Sequence, residues 1–151
     1  MTPPLRGKVA VVTGSSRGFG YAAAEALLDA GASVVVSSRS STAVHKAVEK
    51  LRAVGDHVAG QPADVTALDA VEALADYALT TFGGLDIWIN NAGIAGPYGP
   101  TVELTSETFE QVLGTNVFGV YHGALIAMRH FLRQDSGKLI NILGRGARNP
   151  T

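Results

Sequence analysis

Short apolar runs alternate with longer amphipathic stretches along almost the whole chain. The short runs are rich in valine and isoleucine and end in glycine or polar residues, which is typical of strands buried on both faces of a sheet. The stretches between them repeat apolar residues every three or four positions, which indicates helices covering such a sheet. The pattern predicts five strands, at 9–12, 33–38, 57–61, 85–89 and 138–143, with four helices between them.

The apolar positions of the first and last predicted helices indicate which side of each is buried. In the first helix they are Phe19, Ala23, Ala26, Leu27 and Ala30. In the last, which the pattern predicts as one long helix, they are Phe109, Val112, Leu113, Val117, Val120, Ala124, Met128 and Phe131. Before the third helix, Thr66 and Asp69 have the spacing of a capping box.

The alternating order predicts right-handed crossovers and an α/β fold, a Rossmann-type doubly wound parallel sheet of at least five strands. In such sheets ligands bind beyond the carboxyl ends of the strands. Glycine and polar residues cluster at those predicted ends, at 13–20, 37–39, 64–65, 90–93 and 144. The sequence therefore predicts one domain, 1–151, with a ligand site along that edge.

The first of these clusters is a glycine-rich turn between the first strand and the first helix, Thr13-Gly14-Ser15-Ser16-Arg17-Gly18-Phe19-Gly20. Gly14 allows a sharp turn, Gly18 allows backbone to approach a ligand, and Gly20 allows the helix to pack closely on the strand. The helix start offers free N–H groups and a partial positive charge, which suit a pyrophosphate. A tight turn that binds nothing is the alternative.

Composition narrows the function classes. With 151 residues, 46% hydrophobic and 17% charged, the chain has the make-up of a globular domain. A net charge of −1 gives no reason to expect nucleic acid or an anionic membrane surface as partner, and no apolar run is long enough to cross a bilayer. The absence of cysteine fits a cytoplasmic protein and excludes thiolate chemistry, and the four histidines share no metal-ligand spacing, so no metal site is predicted.

Several stretches, in this order and over the whole chain, together resemble the short-chain dehydrogenase/reductase family. The matching motifs are Thr13-Gly14-x-x-x-Gly18-x-Gly20 at the cofactor loop, Asp64-Val65 at the adenine, Asn90-Asn91-Ala92-Gly93 after the fourth strand, and Asn116 of the catalytic tetrad within Thr115-Asn116-Val117-x-Gly119. The resemblance implies hydride transfer between a nicotinamide dinucleotide and a small carbonyl or alcohol substrate, by a homodimer or homotetramer.

The resemblance also implies which residues bind the cofactor. They are Gly14, Ser16, Arg17, Gly18, Phe19, Gly20, Ser38, Arg39, Asp64, Val65, Asn91, Ala92 and Gly93. The second strand ends in Ser37-Ser38-Arg39, without the carboxylate that would bind the ribose of NAD(H) and repel a 2′-phosphate. Because guanidinium groups suit phosphate, Arg39 and Arg17 favour NADP(H), with NAD(H) as the second cofactor that the site admits. Arg39 as a solvated helix residue is the alternative.

Four residues of the matching motifs have a purely structural alternative. Asn90 and Asn91 can tie strand ends together through side-chain bonds to backbone, and Gly93 can serve only as a turn. Asn116 falls on the apolar side of the last helix, where a polar group needs a partner. It either bonds a neighbouring backbone carbonyl or, as the resemblance implies and we favour, anchors a water in a proton relay.

The chain departs from the family pattern at two points. The family has a serine after the fifth strand, but this stretch reads Asn141-Ile142-Leu143-Gly144, so Gly144 stands where the serine would polarise the substrate carbonyl. The catalytic Tyr-x-x-x-Lys belongs to the following helix, and none of the four tyrosines here has a lysine four residues later. The sequence is therefore expected to be the amino-terminal part of a longer enzyme and inactive alone. A dinucleotide-binding module with little or no catalysis is the alternative.

Overall fold

The computed structural model describes residues 2–97 and 99–144. Within them, one sheet contains the strands β1 (Val9–Val12), β2 (Ser33–Val36), β3 (Val58–Gly60), β4 (Ile87–Asn90) and β5 (Lys138–Asn141). The helices are α1 (Gly18–Asp29), α2 (Ser41–Leu51), α3 (Leu68–Phe82), α4 (Ser106–Leu113) and α5 (Gly119–Gln134). A 3-10 turn lies at Thr101–Glu103, and a π-helical turn at Gly114–Phe118 joins α4 to α5.

The strands are ordered β3-β2-β1-β4-β5, and every pairing is parallel. The chain therefore leaves β3 at one edge and crosses over to β4 on the far side of β1. This reversal of winding creates a crevice at the carboxyl ends of β1 and β4, which is where doubly wound folds bind their ligands. The predicted Rossmann-type fold is confirmed.

Two apolar layers bury the strands β1, β2 and β4 on both faces, whereas the described part of the chain leaves the edge strand β5 largely exposed. Val11 and Trp88 face α3 and α5, where they pack with Leu74 and Ile126. Val12 and its neighbours on that side face α1 and α2. Every residue of β1 is 4% exposed or less, which explains why this strand has no alternating polar positions.

The predicted buried face of α1 is wrong by about one position. Gly20, Ala24 and Leu28 are the buried residues, whereas Phe19 is 64% exposed. Alanines surround the helix, so the apolar pattern does not fix its rotation. Close packing fixes the rotation of α1 instead, because a Cβ on Gly20 would lie 2.6 Å from the carbonyl oxygen of Gly14.

The helix predicted as one long element is helical from Ser106 to Gln134, but the π turn divides it, and the single buried face predicted for it is wrong. The π turn adds residues to one turn and so rotates α5 relative to α4, and a pattern with one helical period cannot follow both helices. The buried residues of α5 are Gly119, Gly123, Ile126, Ala127 and Phe131. Phe109, Val117 and Met128, predicted as buried, are 52%, 53% and 40% exposed.

No helix among the described residues is both long enough and apolar enough to span a membrane.

Candidate cofactor site

A cavity of about 560 Å³ opens at the carboxyl ends of the strands, a size typical of small-molecule sites. All the residues that the sequence assigns to cofactor binding line it: Gly14, Ser16, Arg17, Gly18, Phe19, Gly20, Ser38, Arg39, Asp64, Val65, Asn91, Ala92 and Gly93. The sequence did not predict the remaining lining residues, which are Ser40, Ala43, Ala63, Ile94 and Thr115. The structure thus brings the four predicted stretches of the sequence together at one place, with Thr115 from a fifth.

The glycine-rich turn forms one wall through backbone that is open to the cavity. Gly14 and Gly18 have φ values of 62° and 61°, in the left-handed region that favours glycine. A Cβ on Gly14 would lie 2.7 Å from Cα of Ala92, whereas a Cβ on Gly18 would have no atom within 4 Å. Gly14 is therefore required for packing inside the fold, and Gly18 leaves free space at the cavity wall.

The start of α1 is available to an anion. The N-cap residue Arg17 makes no capping bond through its side chain, and no acidic residue lies in the first turn. Gly18, Phe19 and Gly20 all line the cavity. Their amides precede the first hydrogen-bonded turn, and within the described part of the chain no side chain caps them, so they offer donors and a partial positive charge.

Thr13 belongs to the glycine-rich motif but is not among the predicted site residues, and its side chain is a structural anchor. Its hydroxyl accepts bonds of 3.1 Å from the amides of Asn91 and Ala92 and donates to the carbonyl of Ile89 at 3.3 Å. Asn91 Nδ2 donates in return to the carbonyls of Thr13 and Gly14 at 3.0 and 2.9 Å. The loops after β1 and β4 are therefore bound to each other.

Ser15 connects the glycine-rich turn to the end of β2, and the sequence did not predict this role either. Its hydroxyl donates to the carbonyl of Val12 at 2.6 Å and accepts from the Ser37 amide at 2.9 Å, and its own amide donates to the Ser37 carbonyl at 2.9 Å. Because Ser15 is fully buried, these bonds are shielded from water. The sequence does not distinguish a serine that is buried and bonded in a glycine-rich turn from one that is exposed to solvent there.

Charged groups line the side of the cavity near β2 and β3. Arg17 and Arg39 are exposed cations on its wall, and Ser40 caps α2 through a 3.2 Å bond from the Ala43 amide. The amide and hydroxyl of Thr66 donate to Asp64 Oδ1 at 2.9 and 2.8 Å. These bonds, with the positive charge of Arg39, hold the pKa of the Asp64 carboxyl below its ordinary value.

The Thr66–Asp69 capping box predicted from the sequence is wrong. The Thr66 hydroxyl serves Asp64, and α3 begins after Ala67 without a capping side chain. Asp69 Oδ1 instead accepts from the neighbouring amide of Ala70 at 2.9 Å. Asp64, two residues before Thr66, offers a local acceptor that competes with the capping position, and the Thr66 hydroxyl bonds this acceptor instead.

The chain matches the family described as short chain dehydrogenase over residues 8–151. It belongs to the short-chain dehydrogenase/reductase family. It is 39% identical over 144 residues to 3beta-hydroxysteroid dehydrogenase 1 of Eggerthella lenta, covering 94% of this chain and 55% of that protein. The chain thus spans about half the length of the curated relatives it matches.

Two solved structures share the fold. A short chain dehydrogenase/reductase from Burkholderia phymatum in complex with NAD has a TM-score of 0.86 and 38% identity, over 91% of this chain and 49% of that one. Actinorhodin polyketide ketoreductase with NADPH has a TM-score of 0.85 and 31% identity, over 89% and 52%. The cofactor thus differs between these two relatives.

In this short-chain dehydrogenase/reductase chain, Asn90 ties strand ends together. It is 2% exposed, its Oδ1 accepts from Trp88 Nε1 at 2.8 Å, and its Nδ2 donates to the Val120 carbonyl at 3.1 Å and to Asn141 Oδ1 at 2.9 Å. The structural alternative given for Asn90 and Asn91 is therefore observed. Asn91 differs in that it lines the cavity as well.

Asn116, the family's tetrad position, lies in the π turn and is paired with backbone. Its Oδ1 accepts from the Ile94 amide at 2.9 Å, and its Nδ2 donates to the Ile94 carbonyl at 2.8 Å. The backbone bond given as the alternative is thus present, because both the amide and the carbonyl of Ile94 bond the Asn116 side chain. The water relay stays a prediction. Both Ile94 and the adjacent Thr115 line the cavity.

Gly144, at the family's serine position, lies beyond the end of β5. It is exposed, and a Cβ there would have no atom within 4 Å. Because β5 pairs with β4 in parallel, Gly144 lies at the same edge of the sheet as Asn91 and Gly93. A serine side chain would therefore fit at this position without displacing its surroundings.

Proposed function

We propose that this chain is the dinucleotide-binding part of an NADP(H)-dependent short-chain oxidoreductase that interconverts a carbonyl and an alcohol. The observation that carries the proposal is the composition of one cavity wall. It combines open backbone at Gly18, the uncapped start of α1 and the cations Arg17 and Arg39, with no carboxylate after β2.

The cavity residues fit the parts of a dinucleotide. The amides of Gly18 to Gly20 would hold the pyrophosphate, because a helix start binds anions and the missing Cβ on Gly18 leaves room for them. Ser38, Arg39 and the Asp64–Val65 pair would hold the adenosine half. Gly93 and its neighbours would hold the nicotinamide half, from which the cofactor supplies or accepts hydride.

The preference for NADP(H) rests on this chain's own residues, because the two solved relatives were crystallised with different cofactors. A 2′-phosphate beside Ser38 would meet guanidinium groups instead of a carboxylate. The forked donors of arginine match phosphate oxygens and strengthen each bond through charge.

The catalytic half of the reaction is proposed to need residues outside these 151. Hydride transfer to a carbonyl requires an acid beside the oxygen, which in the family is the tyrosine of Tyr-x-x-x-Lys. The chain supplies Asn116 and has Gly144 in place of serine. Two of the relatives are named for a hydroxysteroid and a polyketide, so we assign the substrate only to the class of carbonyls and alcohols.

The parent enzyme is proposed to be a homo-oligomer. Large apolar side chains lie exposed along the π turn and α5: Phe118 is 56% exposed, Tyr121 59% and Leu132 74%. Surfaces of this kind usually contact another chain. A second copy on this face would shield them from water.

Calorimetric titration of the 151-residue chain with NADPH and NADH, followed by a carbonyl-reduction assay, tests the proposed function. We expect tighter binding of NADPH than of NADH and no turnover, with intact mass spectrometry verifying the chain length. Failure to bind either dinucleotide would refute the binding function. Robust turnover by a chain of the verified mass would show that the chemistry lies within these residues.

The second candidate, a binding module with little or no catalysis, is favoured by Gly144. An assay of the longer protein separates the two candidates. Carbonyl reduction by that protein supports the enzyme, and dinucleotide binding without reduction supports the module.

A further inference from the structure

The first turns of α5 contact a wall of the cavity through a residue that belongs to none of the motifs above. His122 Nδ1 lies 2.9 Å from the carbonyl oxygen of Val65. Because a carbonyl can only accept, the ring N–H at Nδ1 donates this bond. Val65 is 7% exposed and lines the cavity, so α5 holds this wall from behind.

A packing contact one helical turn earlier reinforces the bond. A Cβ on Gly119 would lie 2.5 Å from Cγ2 of Val65, so the backbone of α5 rests directly against that side chain. Gly119 and His122 are three residues apart and therefore share one face of the helix. The side chain and the carbonyl of Val65 are thus both engaged by α5.

The other bonds of this segment fix its shape and its attachment to β2. The Asp64 carbonyl accepts from the Ala67 amide at 3.1 Å, and Asp64 Oδ1 accepts from the Thr66 amide at 2.9 Å, which closes the turn locally. The Ala63 amide donates to the Ser38 carbonyl at 3.1 Å. None of these three bonds reaches α5, whereas His122 and Gly119 contact Val65 from that helix directly.

We propose that His122 is a positioning residue for the cofactor cavity: by holding the Val65 carbonyl, it fixes the Asp64–Val65 wall against α5. The inference rests on the proposed function, in which this wall borders the adenosine half of NADP(H). His122 does not itself line the cavity. Loss of its donor loosens the wall and weakens ligands that contain the adenosine half.

Two substitutions separate the hydrogen bond from the bulk of the ring. His122→Phe keeps a ring and removes the donor, whereas His122→Asn places an amide nitrogen at the same number of bonds from Cβ as Nδ1. His130→Phe is the matched control, because His130 is also half-buried on α5, two turns further on, and does not line the cavity. Binding of 2′,5′-ADP, the adenosine part of NADP, is measured by calorimetry for each variant.

We expect His122→Phe to weaken 2′,5′-ADP binding by about three- to tenfold, the effect of one lost hydrogen bond. His122→Asn and His130→Phe should stay within about twofold of the wild type. Equal affinity in His122→Phe and the wild type would overturn the proposal. So would a His122→Asn protein that binds as weakly as His122→Phe, since the donor would then not be what matters.

Amide hydrogen exchange of the ligand-free protein tests the positioning without any cofactor. In His122→Phe, exchange should become faster in the peptide that covers 62–70, where the Thr66 and Ala67 amides close the turn. The peptides from β1 should keep their rates. Unchanged exchange at 62–70 would overturn the positioning role. If the wild type binds no 2′,5′-ADP or NADPH, the proposed function fails separately, and exchange still decides whether His122 holds this turn.

Discussion

The carboxyl edge of the sheet consists of two differently built regions. At the carboxyl ends of β1, β2 and β4, buried side chains tie the loops together. Thr13 joins the loop after β1 to the loop after β4, and Ser15 joins the loop after β1 to the end of β2. Behind β5, the described chain continues to an exposed Gly144 whose surroundings are open. The region proposed to bind the cofactor is thus preorganised, whereas the region where the family carries its catalytic serine is not enclosed by the described residues.

The difference has an energetic consequence. A buried polar group without a partner costs about 1–3 kcal/mol, so each hydrogen bond between the loops restricts their movement. A preformed site loses less free energy to ordering when its ligand binds. Changes in the first region should therefore affect binding and stability, and changes at Gly144 should affect neither.

The largest expected effect comes from Gly18→Val. A branched side chain would occupy the space proposed for the pyrophosphate and remove its charge-assisted bonds, which should weaken NADPH binding on the order of a hundredfold or more. Gly83→Val is the matched control, because Gly83 also has a positive φ, 78°, and open surroundings but lies at the end of α3. Calorimetry should find near wild-type affinity in the control. Equal affinity in Gly18→Val would show that the turn is not the site.

The second prediction tests the preference of the same region for NADPH over NADH. Replacing both Arg17 and Arg39 with alanine removes the two cations proposed to hold the 2′-phosphate, so NADPH affinity should fall by about ten- to a hundredfold. NADH affinity should change much less, because it lacks that phosphate. The double variant Arg6→Ala, Arg52→Ala removes the same charge away from the cavity. If the variant without Arg17 and Arg39 keeps its preference for NADPH, these two residues do not hold the 2′-phosphate.

A smaller effect is expected from Thr13→Val, which tests the bonds between the loops. Valine preserves the shape but leaves the amides of Asn91 and Ala92 without their acceptor, so the free energy of unfolding should fall by about 1–3 kcal/mol. Thr80→Val serves as the control, since Thr80 is exposed and bonds within its own helix. Denaturant titration measures both. A Thr13→Val protein as stable as the wild type would mean that water replaces the hydroxyl.

The smallest effect in this chain is expected from Gly144→Ser. Because nothing lies within 4 Å of the added Cβ, stability and NADPH affinity should stay unchanged. In a longer protein that contains the proposed catalytic residues, the same change should raise kcat, since it would supply a donor to the developing oxyanion. Unchanged turnover there would indicate that another group already polarises the carbonyl.

The features predictable from the sequence are those set by local chemistry. The parallel sheet with its flanking helices, the turn at Gly14 and Gly18, and the position of thirteen assigned residues around one cavity follow from short sequence patterns combined with the general layout of such sheets. Each pattern is confined to neighbours in the chain, where the hydrophobic period and the glycine spacing carry the information.

The features that escaped prediction depend on contacts between distant segments. The rotation of α1 is set by Gly20 against Gly14, and the π turn places Asn116 opposite Ile94. The bond from His122 to Val65 joins residues 57 positions apart. A histidine on a helix looks the same in sequence whether its ring is solvated or bonded, so only the tertiary structure identifies such a residue.

A crystal structure of the chain with NADPH decides whether this cavity is the cofactor site, because it locates every part of the dinucleotide. We expect the pyrophosphate on the amides of residues 18–20, the adenine beside Asp64 and Val65, and the 2′-phosphate on Arg39 or Arg17. A dinucleotide bound outside this cavity, or a 2′-phosphate away from both guanidinium groups, would refute the cofactor assignment.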